Sequence, residues 1–74
     1  MTIPHAVVGY MVIAGMTPIG AWRKHLGLSQ AEVAARMGST EADYAQQEQD
    51  RNLRQPTREK IAAAMGIASD LLDA

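Results

Sequence analysis

Seventy-four residues, 47% hydrophobic and 20% charged, with no cysteine, read as a single small globular domain. That balance excludes a disordered chain, and the missing cysteines exclude disulfides and argue against soft metal sites. Eight acidic against seven basic residues give a formal charge of −1, which excludes a uniformly basic surface, so any attraction to a polyanion must be local.

So short a chain buries a modest share of its surface and needs an economical core, self-association, or both. Its aromatics are Trp22, Tyr10 and Tyr44, with no Phe. Ala and Met fill their place, and β-branched residues are sparse after residue 20, so the composition is all-α.

The first sixteen residues are the most apolar, with Val7, Val8, Val12 and Ile13 among Ala6, Tyr10, Met11 and Ala14. Residues 1–5 lack the Lys or Arg of a signal peptide, and Gly15, Pro18 and Gly20 interrupt the run before the roughly 20 residues of a membrane span. A helix over 4–14 is predicted, with Val7, Val8, Met11 and Val12 on one face. Val-Val and Met-Val-Ile leave a strand as the competing reading. Being apolar nearly all round, such a helix has to be covered by something.

Thr17-Pro18 opens the next helix as cap and first-turn proline, running to about Leu26 with Ile19, Trp22 and Leu26 on one face and Gly27 as its stop. Ser29-Gln30-Ala31-Glu32 has the S-x-x-E spacing of a capping box, so a third helix starts at Gln30. Val33, Ala34 and Met37 are its apolar positions and Gly38 ends it. Thr40-Glu41-Ala42-Asp43 resembles a second box, opening a fourth helix to about Gln49. Residues 50–56 read as a polar loop closed by Pro56. Thr57 caps a fifth helix, with Ile61, Ala64 and Met65 facing inward and Gly66 as its stop. A last turn holds Leu71 and Leu72.

Two short helices, 30–37 and 40–49, joined through a glycine turn, have the layout of a helix-turn-helix. Charge is arranged in blocks around them. Segment 29–50 carries Arg36 against Glu32, Glu41, Asp43, Glu48 and Asp50, while 51–60 carries Arg51, Arg54, Arg58 and Lys60 against Glu59. A basic segment directly after the second helix suits flanking phosphates.

The run Trp22-Arg23-Lys24-His25-Leu26-Gly27-Leu28-Ser29-Gln30-Ala31-Glu32-Val33-Ala34 resembles the Cro/C1-type (XRE-type) helix-turn-helix family. So do Gly38, Tyr44-Ala45-Gln46-Gln47-Glu48 and the tail 59–67. The resemblance covers 18–72. The apolar N-terminal segment and the Ala21-Trp22-Arg23 phrase are also similar to HigA-like antitoxins of toxin–antitoxin pairs.

The resemblance implies an all-α, compact five-helix lambda-repressor-like bundle, here with an extra short N-terminal helix. It implies a repressor that binds double-stranded DNA as a homodimer. The residues themselves show no nucleophile–base pair, Gly-rich phosphate loop or metal spacing, so no enzymatic activity, cofactor or metal is expected, and the lack of cysteine fits the cytoplasm. Carried over by position, Ser29 and Gln30 would contact phosphates, and Thr40, Glu41, Ala42 and Gln46 would face base edges. Arg51, Asn52 and Arg54 would touch flanking phosphates, and Arg23 with Glu48 would form a structural pair. As an antitoxin, the chain would also bind a toxin protein; segment 1–16 is the expected dimer or partner interface within a single domain, 1–74.

The departures are Glu41 and Asp43 where the family has Gln, Ser, Lys or Arg, Ser39 where it has Val or Ile, and Gln47 where it is apolar. Glu41 can accept from cytosine N4 but repels phosphate, so modest, strongly salt-dependent affinity is expected. Blander roles also stand for several residues. Trp22 and the methionines are core, Tyr44 packs with its hydroxyl reaching the surface, and His5 and His25 face solvent. Glu41 and Asp43 complement the helix dipole, and the 51–60 charges form a solvated face.

Overall fold

In the computed structural model, which describes residues 3–72, local capping chemistry sets most helix boundaries. The elements are α1 (His5–Val12), α2 (Pro18–His25), α3 (Gln30–Met37), α4 (Glu41–Gln49), α5 (Gln55–Met65) and a final 3-10 turn (Ser69–Leu72). No strand occurs among the described residues, so the strand alternative for the N-terminal segment is overturned. The fold is the expected all-α bundle.

The Thr17 hydroxyl accepts from the Gly20 N–H at 3.2 Å, with Pro18 in the first turn. Ser29 and Glu32 form both halves of the capping box, at 3.0 and 3.1 Å. Thr40 accepts from the Asp43 N–H at 3.1 Å without a reciprocal bond from the Asp43 carboxylate, so that box is half formed. At the other end of α3, the Gly38 and Ser39 N–H groups donate to the Ala35 and Ala34 carbonyls at 3.2 and 2.9 Å, a Schellman closure. Gly38, at φ 70°, supplies the left-handed residue that this closure needs.

Three expectations are corrected. α5 begins at Gln55 rather than after Thr57, with Arg54 as a cap lacking a side-chain hydrogen bond. Pro56 therefore sits in the first turn of the helix instead of closing the loop, where its missing N–H would have had no helical partner anyway. Leu26 is 39% exposed. The chain reverses after α2, with the Leu28 N–H returning to the Arg23 carbonyl at 3.1 Å, so Leu28 packs on the core instead. In α1, Val7 is fully buried, while Tyr10 and Met11, with Ile3 just before the helix, are partly buried against the core. Val8 and Val12, expected on the same face as Val7, lie on the outer side. An all-round apolar sequence gives no periodicity from which to choose a face.

The core joins Val7, Ile19, Trp22, Val33, Tyr44, Ile61, Met65, Leu71 and Leu72. Trp22 reaches across it and donates from Nε1 to the Leu71 carbonyl at 3.2 Å, pinning the final turn to α2. Ala34 is 2% exposed where α3 packs against α4; its small side chain permits that approach. α1 is held against α2 and its connection by the Met16 N–H donating to the Tyr10 carbonyl at 3.1 Å, and by the Lys24 ammonium 5.5 Å from the Tyr10 ring. Met65 is core and Met11, Met16 and Met37 pack around it; Met1 lies outside the described residues. No helix is long and apolar enough to cross a membrane among the described residues.

Candidate nucleic-acid interface

The sequence of α4, Glu-Ala-Asp-Tyr-Ala-Gln-Gln-Glu-Gln, has almost no apolar face. Its buried residues are Tyr44 and Glu48, so a polar cluster must set its angle. The Glu48 carboxylate receives Arg23 Nε in a close ion pair on one oxygen, together with the Tyr44 hydroxyl at 3.1 Å. Its other oxygen receives Gln30 Nε2 at 2.6 Å and Arg23 Nη2 at 3.4 Å. Arg23 Nη1 donates to the Leu28 carbonyl at 2.9 Å, and the Thr17 hydroxyl donates to the Glu48 carbonyl. Side chains from α2, α3 and α4, and the cap of α2, thus converge on one residue.

Gly20 packs beside this cluster: an added Cβ would make ordinary contact with the Glu48 carboxyl carbon at 3.5 Å and would press on the Met16 methyl at 3.3 Å. The network also moves proton affinities. Arg23 is raised above its ordinary value, first by its hydrogen bond to Glu48. The Tyr44 phenol is pushed well above its usual 10.0, first by burial and then by the Glu48 charge. Its hydroxyl ends on Glu48 inside the fold rather than at the surface, which corrects the sequence expectation.

A phenol whose folded pKa is raised stabilises the fold below its unfolded value, and the contribution is lost as pH climbs through the folded one. Stability should therefore decline as pH rises above about 10. Tyr44→Phe removes the titrating group, so urea unfolding at successive alkaline pH values should show a flatter decline for the variant. Equal slopes would place the phenol in contact with water.

The outward side of α4 is accessible. Thr40, Glu41, Ala42 and Asp43 are all exposed, as is Gln46 one turn on. Glu41 and Asp43 lie in the first turn, where they complement the helix dipole, and neither forms an ion pair among the described residues. Ser29 is exposed at the start of α3. The Gln30 amide is engaged by Glu48, which leaves its second amide hydrogen for an outside acceptor. The neighbouring Glu32 carboxyl is held below its ordinary value by the Ser29 backbone and side chain.

After α4, the Asn52 N–H donates to Asp50 Oδ1 at 2.8 Å and tightens the loop. Arg51, Asn52 and Arg54 are exposed, and Arg51 donates to the Gly15 carbonyl at 3.3 Å. Arg58 is partly buried and donates to Gln55 at 2.7 Å, whereas Lys60 is exposed. Gln30 and Glu48, both singled out in the sequence, are brought together. The role of Thr17 in holding Glu48 was missed; its only sequence signal was that of a helix cap.

Gln47 occupies the position that is apolar in the family, and its Oε1 is buried without a hydrogen-bond partner. A buried unsatisfied carbonyl costs about 1–3 kcal/mol. Gln47→Leu removes it at similar volume and should stabilise the fold by about 1 kcal/mol in chemical denaturation. A destabilised variant would mean that the amide is hydrated.

A helix-turn-helix family model matches residues 19–72, from α2 through the final turn, and leaves α1 outside. Comparisons with curated proteins and with solved structures give no match. With a buried ion-paired cluster under α4 and a matching family model over most of its length, the chain belongs to the Cro/C1-type (XRE-type) helix-turn-helix family of DNA-binding regulators.

Proposed function

We propose that this protein is a sequence-specific transcriptional repressor that acts in the cytoplasm and binds a palindromic site as a homodimer. The observation that carries this reading is the asymmetry of α4: its inner face is locked through Glu48, and its first turn is capped and open to solvent. A rigid helix with a free N-terminal end suits entry into the major groove. Thr40, Glu41, Ala42 and Gln46 face the base edges. Ser29, Gln30, Arg51, Asn52 and Arg54 contact phosphates and set the register.

Glu41 and Asp43 weaken the electrostatic attraction, which falls to the segment after α4. With roughly six phosphate contacts per dimer, affinity should drop on the order of a thousandfold between about 50 and 200 mM salt. Titration of a site selected from a random DNA pool tests the reading. Arg54→Ala should weaken binding to every sequence, whereas Gln46→Ala should relax preference at one base pair by about 1–3 kcal/mol. Equal binding to all sequences, or none at low salt, would refute it.

A second reading is favoured by α1, which lies outside the family match and exposes Val12 and Ile13. In it the chain is an antitoxin that binds a toxin and represses its own promoter. A small basic ribonuclease-like protein encoded in the adjoining reading frame would support this reading, and an isolated gene would count against it.

A further inference from the structure

We infer that Thr17 is a positioning residue for the DNA interface: its hydroxyl closes the C-terminal end of α4 and so fixes where the chain carrying Arg51, Asn52 and Arg54 leaves that helix. This role rests on the repressor reading and adds to it a residue that itself touches no DNA.

The end of α4 has no closure of its own. α3 and α5 stop at Gly38 and Gly66, whose left-handed turns send later N–H groups back to carbonyls of the same helix. α4 stops at Asp50 in extended conformation. The Asp50 N–H donates to the Gln47 carbonyl at 3.1 Å. In a continuing helix the Glu48 carbonyl would receive the Asn52 N–H. That N–H donates instead to Asp50 Oδ1 at 2.8 Å. The Glu48 carbonyl takes its hydrogen bond from the Thr17 hydroxyl, 31 residues away in sequence.

A single atom makes this joint. Thr17 is 9% exposed, and its Oγ1 accepts from the Gly20 N–H at 3.2 Å while donating to the Glu48 carbonyl. A hydroxyl does both at once, whereas the cap oxygen of Asn or ionised Asp has no proton to give. The start of α2 and the end of α4 therefore share one oxygen. Two residues earlier, the Gly15 carbonyl receives Arg51 Nη2 at 3.3 Å, so the same connection also holds the first basic side chain after α4. Between these bonds lies an open cleft lined by Met16 and Gln49, so hydrogen bonds rather than close packing span the joint. The Glu48 carboxylate sets the angle of α4; the Glu48 carbonyl, through Thr17, sets where the loop departs.

The test compares Thr17→Asn, which caps α2 as well as threonine does, with Thr17→Ser, which keeps both hydrogen bonds. Affinity for a selected DNA site is titrated across salt, at a temperature where circular dichroism shows each protein fully folded. Thr17→Asn should weaken binding about tenfold and make the log–log salt slope shallower by about two per dimer, one phosphate contact per copy. Thr17→Ser should restore both. Lower stability in a protein that is still folded does not move the salt slope. A folded Thr17→Asn with wild-type affinity and slope overturns the inference, and so does weaker binding at unchanged slope.

Two NMR measurements on DNA-free protein stand apart from the repressor reading. In the wild type, the Thr17 hydroxyl proton should be protected from exchange with water. In Thr17→Asn, the amides of residues 50–54 should become more mobile on the nanosecond scale. Failure of the wild type to bind any DNA would sink the repressor reading, and these spectra would then decide the role of Thr17. A freely exchanging hydroxyl proton overturns it even if Thr17→Asn does not fold, and unchanged loop mobility in a folded Thr17→Asn overturns it as well.

Discussion

Arg23→Met should destabilise the folded domain by about 3–5 kcal/mol, measured by urea unfolding at neutral pH. Methionine roughly preserves the aliphatic stem and removes the guanidinium. The Glu48 carboxylate then stays in a site where the residue is only 6% exposed, without its ion-pair partner. The Tyr44 hydroxyl and the Gln30 amide still donate to it, so the loss should fall toward the lower end of that range. Small domains have roughly 5–15 kcal/mol in total, so even the lower figure should lower the thermal midpoint sharply. Replacing both members, as Arg23→Met with Glu48→Leu, should recover much of the loss, because no buried charge is left alone. The double variant should still bind DNA poorly, since an apolar pair sets the angle of α4 less strictly. A single-variant cost under about 1 kcal/mol would mean that water reaches Glu48, and the rigid-helix argument would fail with it.

Trp22→Ala should cost about 3–5 kcal/mol, comparable to the whole margin of so small a domain. The side chain is 6% exposed and is the largest in the core. Its removal leaves a cavity bounded by several helices and frees the Leu71 carbonyl, which loses its indole donor. Trp22→Phe separates the two effects: it keeps most of the ring and loses the hydrogen bond, so about 1–2 kcal/mol is expected. Circular dichroism is the suitable probe, because Trp22 is the only tryptophan and its fluorescence disappears with it. If alanine and phenylalanine cost the same, the hydrogen bond to the final turn, and not the packing, dominates.

Both predictions concern residues that sequence reading identified with different success. Trp22 was legible as core because an aromatic in the middle of a capped helix in a small domain has few other uses. The Arg23–Glu48 pair was legible only through family resemblance, since no local pattern joins positions 25 residues apart. The sequence reading took Gln30 as a phosphate contact, and the structure shows that its amide also serves the interior. Tyr44 was assigned correctly to the core, but its hydroxyl was placed at the surface, because Glu48, one turn along the same helix, was read only as the partner of Arg23. The outward positions of α4, Thr40, Glu41, Ala42 and Gln46, came from the family resemblance by position, and all four are exposed.

What the residues fix by themselves are the capped ends of α2, α3 and α4. Ser29 with Glu32, Thr40 with Asp43, Thr17 with Gly20, and Gly38 act on backbone groups within a few positions, where hydrogen-bond geometry is set by the chain itself. Tertiary packing alone decided which side of α1 is buried and that four polar groups share Glu48. An apolar helix has several equivalent faces, and a buried carboxylate is stable only where separate helices bring their donors together.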